Sequence, residues 1–293
     1  MRARPIIASF AIVAVLVAAG VIVWKFAFSG GVSLPLPLRS EYCTAKTSGE
    51  VTLTLDQMAN AATIGAVGIR RGVPERAVTV ALATALQESK LTNLDGGDRD
   101  SLGLFQQRPS QGWGTPTQIA DPRYAAGRFY SALLRVHNWQ RLSITAAAQA
   151  VQRSAVPSGY AKWTSDATIL ASALMGDKSA AVACNVSTTP TTRGPRALSD
   201  LTNILKQDWG TAAVYSETAD SLALDVPGAQ AGWQYAHWLV AHASDSGVER
   251  VQFGNLAWTA AKGVWRSIPR SQAPTLSSVA ASTVIAQVYA AQK

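Results

Sequence analysis

The sequence predicts a membrane-spanning N-terminal helix, then a predominantly α-helical domain, then a small α+β domain. Three observations predict it. The run from Pro5 to Trp24 carries no charge and is dominated by Ile, Val, Ala, Leu and Phe. Between residues 54 and 176, apolar residues recur at helical spacing with capping signals, and from residue 197 short strand-like runs alternate with helical ones.

About 20 apolar residues suffice to cross a bilayer core of about 30 Å as a helix. The small residues Ala18-Ala19-Gly20 lie inside the apolar run, where a signal-peptide cleavage site does not belong, so the segment reads as an uncleaved anchor. Arg2 and Arg4 outweigh Lys25 and place the N-terminus in the cytoplasm. The expected organisation is a cytoplasmic tip and anchor over 1–28, with the domains that follow extracytoplasmic. A Gly-, Ser- and Pro-containing linker, SGGVSLPLPLRS, covers 29–40.

Thr54-x-x-Gln57 reads as a capping box ahead of a helix that places Met58, Ala61, Ala62, Gly65 and Ile69 on one face and stops at Gly72. Pro74 suits the first turn of the next helix, which turns Val78, Ala81, Leu82, Ala85 and Leu86 inward and ends near Glu88. Asp121-Pro122 reads as N-cap and first residue of a helix to about Val136. Further helices are expected over about 143–153 and 159–175, the latter closed by Gly176. No alternating strand is read in this part.

A second polar stretch, NVSTTPTTRGPR over 185–196, divides a first domain (41–184) from a second (197–293). The two cysteines, Cys43 and Cys184, lie just inside the edges of the first domain. In an exported chain such a pair is more often joined than free. In the second domain a helix over Ala197 to Gln207 precedes a hairpin of Thr211 to Ser216 and Ser221 to Val226, and an amphipathic helix covers Ala229 to Ala243. Strands follow at Val248 to Phe253, Leu256 to Thr259 and Val264 to Ile268, with a final helix from about Leu276 to Ala291.

Chemistry concentrates in ALATALQESKLTNLDGGDRDSLGLFQQRP, residues 81–109. Glu88 ends an apolar helix, where both the apolar flank and the partial negative charge of the helix end disfavour a charged carboxyl. A carboxyl that holds its proton can serve as a general acid. The structural alternative is a carboxyl paired with Lys90 or Arg99. Glu88-Ser89, followed by Ser101-x-Gly103-Leu104-x-Gln106 and Pro109, resembles the signature of the soluble lytic transglycosylases, whose fold is like that of goose-type lysozyme.

The resemblance covers roughly residues 54–176. It implies a lysozyme-like fold for the first domain, peptidoglycan as substrate, and Glu88 as the acid/base that cleaves the glycan strand. It further implies Ser89, Ser101, Gly103 and Gln106 as the lining of the glycan cleft, and a tyrosine near the acid, which Pro157-Ser158-Gly159-Tyr160 can supply through Tyr160. The sequence departs from the family at Ala150-Val151-Gln152-Arg153-Ser154, which lacks the Tyr and Asn of A-Y-N-x-G. Among the tryptophans, Trp113 is the best cleft candidate, because it follows Gly112 in a polar loop; Trp139 and Trp163 read as core.

Hydrolysis needs a second carboxylate, whereas closing the sugar's own C6 hydroxyl onto the anomeric carbon does not; Asp98 and Asp100 are the candidates for such a partner. Asp95, Asp98 and Asp100 miss the spacing of a calcium loop and read as a solvated turn, and Arg108 as a solvated side chain. His237 and His242, five apart, do not share a helix face as a zinc pair would, and read as surface or interface residues. No metal or cofactor is expected.

The net charge of +8 divides into +4 before residue 41, +3 over 41–184 and +1 thereafter, without a Lys/Arg cluster, which argues against nucleic acid and suits an anionic wall. The expected partners are peptidoglycan, the cytoplasmic membrane through the N-terminal helix, and an envelope protein for the second domain. The rival expectation is a non-catalytic wall-binding or envelope-assembly protein that keeps the cleft.

Overall fold

A computed structural model describes residues 41–154, 156–210, 215–269 and 282–291. The chain opens with two short strands, β1 (Tyr42–Lys46) and β2 (Glu50–Leu53), followed by the helices α1 (Leu55–Arg70) and α2 (Glu75–Ser89). After an irregular stretch come α3 (Pro116–Ile119), α4 (Pro122–Leu133), α5 (Ile144–Gln152), a 3-10 segment over Pro157–Trp163 and α6 (Thr164–Leu174). Strand β3 (Val182–Asn185) leads to α7 (Gly194–Trp209), β4 (Tyr215–Glu217), β5 (Ser221–Asp225), α8 (Ala229–Ala241), α9 (Ala243–Ser246), β6 (Val248–Phe253), β7 (Leu256–Thr259), β8 (Trp265–Ser267) and β9 (Thr283–Val288).

Two expectations are corrected. The first concerns fold class: the lysozyme-like, predominantly α domain instead carries a three-stranded antiparallel sheet of order β2-β1-β3, and the whole is α+β. These strands are four or five residues long, and β1 takes its second neighbour, β3, from far along the chain. Strands β1 and β2 form a local hairpin, but β3 joins it only by long-range pairing, and strands this short leave little periodicity to read. Cys43 and Cys184 face each other in the β1/β3 register and are joined by a disulfide.

The second concerns the expected final helix. Thr283–Val288 forms β9, a central strand of the six-stranded antiparallel sheet β4-β5-β9-β6-β7-β8. Its Thr-Val-Ile run is β-branched, and Val284, Ala286 and Val288 alternate into the core. The start of that expected helix, residues 276–281, lies outside the described residues, as does the anchor expected at Pro5 to Trp24. Among the described residues no helix is long and apolar enough to cross a membrane.

The helical framework has clear local causes. Thr54 caps α1 in a reciprocal box with Gln57, and Asp121 accepts from Arg123 N–H (3.0 Å) at the start of α4. Helix α1 packs against α4, α7 and α8, while α2 packs on α5, α6 and the 3-10 segment. Helix α8 lies on β6 because Gly232 has no side chain: a Cβ there would fall 1.9 Å from the Phe253 ring.

Buried polar links join the two sheets to each other and the helices among themselves. The indoles of Trp258 and Trp265 donate to the β3 carbonyls of Cys184 (3.1 Å) and Val182 (2.7 Å). The fully buried Asp208 of α7 accepts from Thr63 Oγ1 (2.8 Å), Trp238 Nε1 (2.8 Å) and Arg123 Nε (2.6 Å). His237 and His242 are buried rather than at the surface. His237 Nε2 accepts from Ala181 N–H (2.9 Å), so its proton sits on Nδ1, which donates to Ala173 O (2.8 Å). Burial pushes this imidazole down to about 4.

Candidate functional site

Glu88 sits in the last turn of α2. Lys90 (φ 56°) and Leu91 (φ 60°) then both adopt the left-handed region and reverse the chain. Leu91 N–H returns to Ala85 O and Lys90 N–H to Leu86 O, each at 3.2 Å, a Schellman-type closure. Helix α1 holds the reversal from outside: Gln57 Nε2 donates to Lys90 O and Asn60 Nδ2 to Leu91 O, both at 2.8 Å. The capping residue of α1 therefore also fixes the end of α2.

Tyr160, buried in the 3-10 segment, donates from Oη to Glu88 Oε1 at 2.6 Å. Burial first, and then the bond to and charge of Glu88, push the phenol well above its ordinary value, so it stays protonated as a donor. Beside the pair, Trp163 Nε1 donates to Gln87 Oε1 at 2.9 Å. Lys90 Nζ lies 4.6 Å from the Trp163 ring centre and Lys162 Nζ 5.3 Å. Partial burial, then Lys162, lowers the Lys90 ammonium against the opposing pull of Glu88.

The 101–107 loop is held against the end of α2 by its own backbone. Ser89 Oγ lies 2.8 Å from Leu104 O, and Gln152 Nε2, at the end of α5, donates to Phe105 O at 2.7 Å. Phe105 stacks on Phe129 at 4.8 Å. Leu102 and Gln107 exchange two backbone bonds (2.9 and 3.0 Å), and Gly103 N–H bonds Leu94 O at 2.8 Å. Gly103 has φ +73°, and a Cβ there would meet Ile119 O at 2.7 Å, so the position requires glycine. Gln106 (φ 46°) lays its amide against Gly97, where a Cβ would fall 1.7 Å from Oε1. Ser101 is buried, its N–H on Asp98 O at 3.1 Å.

The structure thus brings Tyr160 onto Glu88 and Ser89 onto the 101–107 loop, while Ser101, Gly103 and Gln106 make their contacts within that loop and with the backbone of 93–98 and 119. It commits Asp100 elsewhere: Ser110 N–H and Arg108 Nε both reach it at 2.7 Å and hold its carboxyl well below the usual range. Arg108 is therefore paired, not merely solvated. Asp98 is exposed beside Arg99, 4.0 Å away.

Trp113 is half-buried at the edge of a pocket of about 740 Å³ formed between α4 and α5. Its carbonyl accepts from Tyr124 Oη and Arg128 Nε, both at 3.2 Å, and Arg128 Nη2 donates to Gly112 O at 3.1 Å. Arg135, Gln152 and Arg153 also line this pocket. Gln152 joins it to the Glu88 site through the Phe105 carbonyl. The sequence marks Gln152 and Arg153 only as a departure from a motif and gives no signal for Arg128 and Arg135. Arg128 lies in α4, Arg135 just beyond its end and Arg153 at the C-cap of α5, so no charge run in the sequence marks them.

Among the described residues no group of three or more His, Cys, Asp or Glu converges to hold a metal ion. Neither a protein-family model nor a curated protein matches the chain.

Proposed function

We propose that the chain cleaves the glycan strands of peptidoglycan outside the cytoplasmic membrane, with Glu88 as a single acid/base. The observation that carries this reading is the 2.6 Å bond from Tyr160 to Glu88 Oε1, formed where the Ser89-anchored loop meets the end of α2. The resemblance of the E-S and S-x-G-L-x-Q segments to lytic transglycosylases supports it, and the disulfide suits an oxidising compartment.

Tyr160 engages Oε1, leaving Oε2 for substrate. Protonated Glu88 gives its proton to the glycosidic oxygen as the bond to the anomeric carbon breaks, releasing the leaving sugar as an alcohol. The carboxylate so formed keeps the Tyr160 hydrogen bond and takes the proton of the C6 hydroxyl as that oxygen closes onto the anomeric carbon. The product is a 1,6-anhydro sugar, and no water is consumed. Internal closure needs no second carboxylate; of the two candidates for one in hydrolysis, Asp100 is committed to Arg108 and Ser110, while Asp98 stays exposed beside Arg99.

The test compares release of soluble wall fragments by the wild type and by Glu88→Gln. Loss of a general acid lowers such a rate by about 10²- to 10⁴-fold. Equal release by both would remove Glu88 from the chemistry. Wall binding without release by the wild type would favour the non-catalytic reading.

A further inference from the structure

The pocket between α4 and α5 is built for negative charge. Arg128, Arg135 and Arg153 line it, and no carboxylate does so among the described residues. Arg128 is fixed in place by the carbonyls of Gly112 and Trp113. Arg135 and Arg153 are exposed, and among the described residues neither has a carboxylate partner. Arg153 reaches the rim because it is the left-handed C-cap of α5, with φ 52° and its N–H on Gln149 O. Guanidinium groups match oxyanions through paired N–H donors.

The space, about 740 Å³, is that of a small-molecule site and far exceeds what an isolated inorganic ion fills. Trp113 supplies an apolar wall, and the Gln152 amide a polar one. We propose that this pocket binds a short peptide through its carboxylates. The choice of a peptide rests on the proposed function, since the glycan cleaved at Glu88 carries peptide side branches, and Gln152, which lines the pocket, also holds Phe105 of the loop whose preceding residue, Leu104, is bonded by Ser89.

The test uses full-length protein and calorimetric titration with the tripeptide Ala-Glu-Ala, both carboxylates free, against its neutral counterpart Ala-Gln-Ala-amide. The acidic peptide should bind, with affinity falling as salt rises, and the neutral one at least about tenfold more weakly, as loss of one charged contact predicts. The exposed pair Arg135→Gln/Arg153→Gln should lose binding of the acidic peptide by about tenfold or more, with an unchanged melting temperature.

Equal binding of the two peptides, wild-type affinity in the double variant, or binding of inorganic phosphate in preference to the acidic peptide would each overturn the proposal. Peptide titration and fragment release measured on the same wild-type protein separate the two readings. Retained peptide binding in a protein that never cleaves glycan leaves the pocket standing and removes the glycosidase. Cleavage without peptide binding removes the pocket alone.

Discussion

Tyr160 and Glu88 are 72 residues apart in sequence and 2.6 Å apart in space, the phenol donating to Oε1. A hydrogen bond to a charged group is worth about 1.5–3 kcal/mol. If it supports the carboxylate as it gives and takes the proton, its loss corresponds to about a 10- to 150-fold fall in rate. Tyr160→Phe should show that fall in initial rates of fragment release while keeping the ring's packing. An unchanged rate would limit Tyr160 to a structural role.

Gly103→Ala adds a methyl group at φ +73° and against Ile119 O. Backbone strain of this kind costs about 1–3 kcal/mol, and the relief available is a shift of the loop that Ser89 and Gln152 hold. The expected result is a lower melting temperature together with loss of activity. Gly96→Ala, where a Cβ meets nothing within 4 Å, is the control and should change neither.

Asp208 is fully buried and joins α7 to Thr63, Trp238 and Arg123. Asp208→Asn keeps the shape but removes the nearer, buried carboxylate from the mostly buried Arg123 guanidinium, which keeps only the more exposed Asp121 at 3.6 Å. Breaking a buried pair from one side costs about 3–5 kcal/mol, and denaturant unfolding should register that loss.

His237 gives stability a pH dependence of known sign. Its folded-state value, about 4, lies below the ordinary imidazole value of 6.5, so between these limits the unfolded chain binds the extra proton. The stabilisation is fully present above about pH 6.5 and is lost as pH falls toward 4, by about 3 kcal/mol in all. Comparing unfolding free energies of the wild type and His237→Gln over pH 4–7 isolates this contribution; the variant should lack that part of the slope.

The disulfide closes a sequence separation of 141 residues and ties β1 to β3. In the chain-entropy account its removal costs about 2–5 kcal/mol. Reduced protein should melt lower than oxidised protein, and free-thiol titration of the native chain should find none.

What the sequence makes legible is local. The Thr54/Gln57 box, the Asp121 cap and the apolar periodicity of α1 and α2 are all written within a few neighbouring residues, so Glu88 can be placed at a helix end by inspection. Strand β1 is different, because its hairpin with β2 is completed by β3, about 140 residues later. Strand β9 lies in a stretch whose apolar residues also fit a helical spacing, and its position between β5 and β6 decides its conformation. The candidate site is legible in its residue types, Glu88 and Tyr160 among them. The fixing contacts are not, because Ser89 and Gln152 act on backbone carbonyls, which are the same for every residue. The arginine pocket escapes for the same reason as β1, since only folding brings α4 and α5 together.

The most direct measurement of the central claim is the chemistry of the cut end. Full-length protein and its Glu88→Gln variant are incubated with purified peptidoglycan, and the released fragments are identified by mass spectrometry. The account predicts fragments ending in 1,6-anhydro sugars from the wild type and none from the variant. Reducing ends would contradict the internal closure and bring a second carboxylate back into the mechanism, and identical fragments from both proteins would contradict the role of Glu88 itself.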